Sequence, residues 1–225
     1  MWTIKLLISK ILYYFFPSLC YVCKKEGKTI CDNCINKFPK NIDVQAFYIK
    51  SIFSFKYQEI KNIIHAIKYY HRKDLIKPLA WEMAKNLQDK IYRKQELNEF
   101  GSATDYKLIA NSWTLVPIPM PTMRKYMRGY NQAELLAKEI SEIISIPINN
   151  NLIIRVKNPK RQVKTKNKSE RLKNQHNSFK IINDVSNLDI ILVDDVTTTG
   201  ATIDEARNIL IKNGANKVIA ITVAH

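Results

Sequence analysis

One stretch, residues 190–202 (IILVDDVTTTGAT), restricts the possible fold more than any other part of the chain. Ile190, Ile191, Leu192 and Val193 form an unbroken apolar run, the length and composition of a strand buried on both faces in a parallel sheet. Two adjacent carboxylates, Asp194 and Asp195, come next, then a loop of small hydroxyl residues around Gly200. After Thr202 a helical pattern begins. A strand end, a Gly/Thr loop and a helix N-terminus together make an anion site, because backbone N–H groups converge there and the helix dipole favours negative charge. Threonine hydroxyls add donors, and Gly200 lets the backbone approach a phosphate closely. Ionised carboxylates only accept hydrogen bonds, which suits the cis hydroxyls of a ribose. The expected ligand is a ribose bearing a 5′-phosphate.

The order of these residues resembles the phosphoribosyl pyrophosphate (PRPP) motif of type I phosphoribosyltransferases: an apolar run, two acids, an apolar residue, then a Thr/Gly/Thr loop. The resemblance implies a ligand site; it does not by itself imply turnover.

A chain of 225 residues holds one sizeable core with a small appendage, or two small domains. Its formal charge of +16 points to a polyanionic partner, nucleic acid before anionic membrane, with a merely solvated basic surface as the alternative. Residues 1–16 are apolar but broken by Lys5 and Lys10, too short to span a bilayer, and without a small-residue cleavage site. They read as an amphipathic helix ended by Pro17. It docks on the rest of the protein or, through Trp2, Tyr13, Phe15 and its lysines, lies on the inner membrane surface. The expected compartment is the cytoplasm.

All four cysteines lie at Cys20, Cys23, Cys31 and Cys34, a C-x2-C-x7-C-x2-C spacing. Where disulfides are disfavoured, two such knuckles closing on one centre suit tetrahedral, structural zinc, with disulfide pairing or an iron–sulfur cluster as alternatives. Further on, 47–57 alternates as a strand or hairpin, and Ile60, Ile63, Ile64 and Ile67 recur at helical spacing, followed by a second helix at about 75–91. The segment 93–111 reads as a polar loop. A strand at 113–116, a basic stretch with Arg124, Lys125 and Arg128, a helix at 133–144, short strand 152–155, helix 202–212 and strand 218–223 complete an alternating β/α series. That series calls for a parallel sheet with helices on both faces and ligands at the carboxyl ends of its strands.

Taken together, the chain resembles the ComF (ComFC) family of competence-associated phosphoribosyltransferase-like proteins. The resemblance rests on the cysteine knuckle, the helix ending IKYY, VPIP followed by RKYMRGYNQAELLA, ILVDDVTTTGAT, and a loose pattern through Arg155, Gln162, Arg171, Asn174 and Phe179. It implies an α/β, type I phosphoribosyltransferase fold over 41–225, preceded by a helix and a four-cysteine zinc finger in 1–40. Asp194 and Asp195 would hold the ribose hydroxyls. Thr197, Thr198, Thr199, Gly200, Ala201 and Thr202 would wrap the 5′-phosphate, and Pro117 and Pro119 would sit in the pyrophosphate loop. Arg124 or Arg128 would reach the pyrophosphate, and Mg2+ would arrive with it. Closure would fall to the loop 156–177, with Arg161, Lys164 or Arg171 as its cations; Arg161 and Arg171 join the two acids as catalytic candidates.

That same loop carries Lys157, Lys160, Arg161, Lys164, Lys166, Lys168 and Lys173, an excess over what pyrophosphate needs. A cationic segment of this kind suits a nucleic-acid backbone, while Tyr126 and Tyr130 are candidates to stack the bases of a single strand. Two functions follow. One is a ComF-type protein of natural transformation, binding single-stranded DNA and PRPP inside the cytoplasmic membrane, with a competence helicase and uptake machinery as partners. The other is a metabolic phosphoribosyltransferase acting on a nitrogen acceptor.

Overall fold

In the computed structural model, which describes residues 17–41, 46–93, 113–156 and 178–225, the apolar runs pair side by side as one sheet. In chain order the elements are α1 (Asp32–Lys37), β1 (Ile49–Phe53), α2 (Gln58–Tyr69), a 3-10 turn (Lys73–Leu75), α3 (Ile76–Arg93), β2 (Trp113–Pro117), α4 (Thr122–Arg128), α5 (Gln132–Ile144), β3 (Ile153–Arg155), β4 (Phe179–Ile181), β5 (Asp189–Val196), α6 (Ala201–Lys212) and β6 (Lys217–Ala224). The main sheet has the order β1-β6-β5-β2, and every neighbouring pair is parallel. Its carboxyl ends therefore open on one edge, where open α/β sheets bind ligands.

β5 is the buried centre of this sheet. Ile191 and Val193 enter one core together with α2, α3 and α5, while Ile190 and Leu192 enter a second core with α6, β3 and β4. This alternation is the ordinary period of a strand, and an unbroken apolar run results because both faces are covered. Each of these four side chains contributes roughly 1.5–3 kcal/mol by leaving water. On α2, Ile60, Ile63, Ile64 and Ile67 form the buried stripe that their spacing predicts.

Local chemistry sets the helix ends. The Asn131 side chain caps α5 by accepting from the Ala133 N–H at 3.1 Å. Gly129 ends α4 in the left-handed region at φ 76°, where its N–H reaches the Lys125 carbonyl. Gly200 caps α6 from the same region, at φ 80°.

Several expectations change. Of the strand or hairpin expected after Phe47, the structure forms the strand, β1, which also makes an antiparallel bridge from Phe53 to Lys40. Residues 153–155 do not join the parallel sheet: β3 pairs antiparallel with β4 in a separate two-stranded sheet over the α6 side, where Phe179 is buried. The 122–128 stretch, read only as basic, is a helix with no buried residue. The N-terminal helix at 1–16, residues 94–112 of the polar insert, and loop residues 157–177 lie outside the described residues.

Candidate functional site

Both acids belong to β5 itself, which runs to Val196 rather than stopping at Val193, and the following helix starts one residue earlier than its pattern predicts. Strand alternation sends the two neighbours apart. Asp195 follows Val193 toward α2, where its Oδ2 pairs with Lys68 Nζ at 2.7 Å. Asp194 follows Leu192 toward β3, where Arg155 lies within electrostatic range. Each carboxylate also accepts a backbone N–H: Asp194 Oδ1 from Asp195 at 2.8 Å, and Asp195 Oδ1 from Val196 at 2.7 Å.

Burial of the Asp194 carboxyl, reinforced by the negative charge of Asp195, pushes its pKa up to about 8, against the smaller opposing effects of the Asp195 N–H, Lys68 and Arg155. Arg155 is itself held below the ordinary arginine range, by burial first and then by Arg124, with Glu205 and Asp194 acting the other way. Its guanidinium lies over the Phe179 ring, 5.2 Å from the centroid. The strand end is therefore a pair of acids flanked by a lysine on one face and an arginine on the other.

Beyond Val196 the chain turns tightly. Thr197 is buried, its N–H donates to Ala224 O at 3.1 Å, and its hydroxyl accepts from the Gly200 N–H at 3.1 Å. Thr199 Oγ1 accepts from the Ala201 N–H at 3.4 Å. The first helical bond is Asp204 N–H to Gly200 O, so the Thr202 and Ile203 amides have no acceptor within the helix. A cleft of about 230 Å3 adjoins the turn, lined by Ala46, Ile49, Thr198, Thr199, Gly200, Asp204 and His225. The Asp204 carboxylate within it accepts from Tyr48 Oη at 2.7 Å.

On the other side of β5 lies the segment after β2. Ile118 N–H donates to Val193 O at 2.9 Å, and Ile118 O accepts from Asn131 Nδ2 at 3.0 Å, which fixes Pro117–Ile118–Pro119 beside the end of β5 and the start of α5. Gln132, in the first turn of α5, is buried, and its Nε2 is the one buried side-chain nitrogen without a partner among the described residues.

Arg124 is exposed on α4, and Arg128 places its guanidinium over the Tyr69 ring, 5.6 Å from the centroid. Tyr130 is not available for stacking: it is buried, and its hydroxyl donates to the Ile67 carbonyl. Tyr126 is fully out in solvent. Lys157, Lys160, Arg161, Lys164, Lys166, Lys168, Arg171 and Lys173 lie outside the described residues.

The sulfurs of Cys20, Cys23, Cys31 and Cys34 all lie within 4.8 Å of one another. Cys23 and Cys31 Sγ are 3.7 Å apart, close to the edge of about 3.8 Å expected for sulfurs 2.3 Å from a central zinc. Burial works against a thiolate at Cys20, but backbone N–H groups of Cys23, Cys31 and Val22 prevail and bring its pKa down to about 6. Cys34 goes to about 12, through burial and then through the neighbouring sulfurs. Four sulfurs gathered on one centre, with the Cys34 thiol raised by its neighbours, fit a cation that would hold them as thiolates. The cluster is not a free appendage: Cys20, Ile30, Cys34, Ile35 and Phe38 share a core with α2 and α3.

Sequence reasoning missed Lys68 and Arg155 as members of the site. Lys68 reads as one of several lysines on an amphipathic helix, and Arg155 as the last residue of a weak strand. Only the docking of α2 and β3 against opposite faces of β5 brings them to the acids.

Residues 131–225 match the phosphoribosyl transferase domain family. Competence protein F of Haemophilus influenzae is 36% identical over 106 residues, covering 46% of each chain. Competence protein ComFC of Bacillus subtilis is 39% identical over 117 residues, covering 52% of this chain and 46% of its own. DNA utilization protein YhgH of Salmonella typhi is 33% identical over 106 residues, 46% of this chain and 45% of its own. The chain thus aligns with about half the length of these curated relatives. Among solved structures, the L. donovani hypoxanthine-guanine phosphoribosyl transferase covers 67% of each chain at 12% identity with a TM-score of 0.40, too distant to carry any residue correspondence. With its parallel sheet, its flanking helices and its four clustered cysteines, this chain is similar to the competence proteins F and ComFC over about half their length, and its residues 131–225 match the phosphoribosyl transferase domain.

Proposed function

We propose that this is a ComF-type protein of natural transformation that binds single-stranded DNA and holds PRPP at the end of β5. It works in the cytoplasm near the inner face of the membrane, with a competence helicase and uptake machinery as partners. The observation that carries the ligand reading is the strand end itself: Asp194 and Asp195 beside a Gly200-capped helix N-terminus, with Lys68 at 2.7 Å from Asp195. Asp194 and Asp195 accept from the ribose hydroxyls. Thr197, Thr198, Thr199, Gly200, Ala201 and Thr202 surround the 5′-phosphate, and the Pro117–Pro119 segment with Arg124 or Arg128 faces the pyrophosphate. Mg2+, bound mainly by ligand oxygens and water, neutralises pyrophosphate charge. Lys157, Lys160, Lys164, Lys166, Lys168 and Lys173 attract the DNA backbone, and Arg161 and Arg171 close over the ligand. Zinc, held by Cys20, Cys23, Cys31 and Cys34, is structural, since four thiolates leave no open position.

The test is anisotropy of a labelled single-stranded oligonucleotide, titrated at several salt concentrations with and without magnesium–PRPP. Binding that weakens steeply with salt and changes with PRPP is the expected result. No binding near physiological salt would sink the DNA reading.

The paired acids and open phosphate turn also support a second reading, transfer of phosphoribose to a nitrogen acceptor. The nitrogen lone pair forms a bond to C1, the C1–O bond breaks, and its electrons leave with pyrophosphate; the nitrogen's proton goes to solvent. Charge on the departing pyrophosphate is what the site would stabilise. Amine-dependent release of pyrophosphate from PRPP tests it, and its absence across ammonia and simple amines counts against it.

A further inference from the structure

The ends of α2 and α4 carry exposed aromatic side chains that neither the phosphoribosyl site nor the cysteine cluster uses. α4 buries nothing, and Met123, Tyr126 and Met127 on it are 70%, 87% and 77% exposed. Their spacing of three and four places them on one side of the helix, while Arg124 and Arg128, four apart, share an adjoining stripe. Arg128 joins α4 to α2 by lying over Tyr69. At the end of α2, Tyr69 and the C-cap residue Tyr70 are 61% and 67% exposed, and His65 touches both, with ring centroids 4.6 and 5.4 Å away.

The charge of this surface is one-sided. Its neighbouring acids are already matched: Asp74 by Arg72 at 2.7 Å, and Glu134 by Lys125 at 2.7 Å. Arg124, Arg128 and the exposed Lys73 provide cations, and α4 contains no acid. Exposed phenol rings set among guanidinium groups match a ligand with flat, unpaired bases and a phosphate backbone. Every base offers a face to stack, so no sequence is required. Duplex DNA keeps its bases inside and fits such rings poorly.

We propose that this α2–α4 surface is a base-stacking platform for single-stranded DNA, with Tyr69, Tyr70 and Tyr126 taking bases and Arg124 and Arg128 taking phosphates. The inference rests on the DNA-binding reading above and assigns part of that binding to residues outside 157–177. Lys68, one residue before Tyr69, pairs with Asp195, so one helix end touches both the platform and the phosphoribosyl acids.

The experiment uses the full chain and a fluorescein-labelled oligo-dT of about twenty nucleotides at constant salt. Tyr126→Ala and Tyr69→Ala should each weaken binding about five- to a hundredfold, the loss measured for a base–aromatic stack. Tyr126→Trp should restore it, and an abasic oligonucleotide of equal length should bind wild type and Tyr126→Ala alike. Because Tyr126 is 87% exposed, its variants should keep the wild-type melting temperature. If wild type binds DNA and both alanine variants bind equally well, the platform is wrong while the DNA reading stands. If wild type binds no DNA, both fail. Sedimentation with vesicles containing a quarter anionic lipid separates the other occupant: loss of vesicle binding in the same variants, with DNA binding intact, would make this a membrane-facing surface and overturn the proposal.

Discussion

Lys68 and Asp195, 127 positions apart in the chain, meet at 2.7 Å between Nζ and Oδ2, and both are largely withdrawn from solvent. The pair ties the last turn of α2 to the carboxyl end of β5, and its charge also reaches Asp194, which Lys68 favours in ionised form. Removing the ammonium leaves two carboxylates side by side. Lys68→Met should therefore weaken magnesium–PRPP binding about tenfold at pH 7 and move its pH dependence to higher pH, with Lys68→Arg restoring most of the loss. Calorimetric titration at several pH values checks both; an unchanged profile would remove Lys68 from the site.

The raised pKa of Asp194 makes a signed prediction. With a folded pKa of about 8, well above the unfolded value of about 4, the native state binds more protons than the unfolded chain between those pH values. The contribution of Asp194 to stability should thus fall as pH rises from 5 to 8.5, being complete below the unfolded pKa and lost above the folded one. Asp74 and Glu82 do not interfere, because both are lowered and act only in more acid solution. Asp194→Asn should flatten the slope in thermal melts. A ligand that requires the ionised acid should bind more tightly across the same rise and release a proton, by up to about tenfold per unit.

Changing Asp194 and Asp195 together to Asn should abolish thermal stabilisation by magnesium–PRPP while the protein still folds. The melting shift with saturating PRPP reads this out, and full stabilisation of the double variant would sink the assignment.

Gly200→Ala probes the turn. The glycine sits at φ 80°, and an added Cβ would stand 3.4 Å from Ile49 Cδ1, tolerable in space but strained in backbone. The left-handed conformation should lower stability by about 1 kcal/mol, and any relaxation would displace the helix N-terminus from the phosphate. A variant as stable as wild type that binds PRPP normally would contradict the capping role.

Metal analysis should find about one zinc per chain, and an iron chromophore would overturn that identification. Because Cys20 and Cys34 share a core with α2 and α3, chelation should lower the melting temperature of the whole transition rather than release a separate early step. Cys34→Ser should mimic chelation.

The sequence by itself determined the parts whose information is local. The apolar run of β5, the acids, the hydroxyl turn and its glycine lie within thirteen consecutive residues, and the four cysteines carry their spacing on their face. The periodic stripe of α2 is likewise a local property. What only the tertiary structure decided is where separate segments converge. Strand alternation separates Asp194 from Asp195, packing brings Lys68 and Arg155 to their two sides, and a hydroxyl bond to Ile67 buries Tyr130 while Tyr126, four residues earlier, stands free. The pairing of β3 with β4 outside the main sheet was equally hidden, because a three-residue strand has too few side chains to declare its partner. Local pattern reports which face a residue prefers; which element arrives at that face depends on the whole chain.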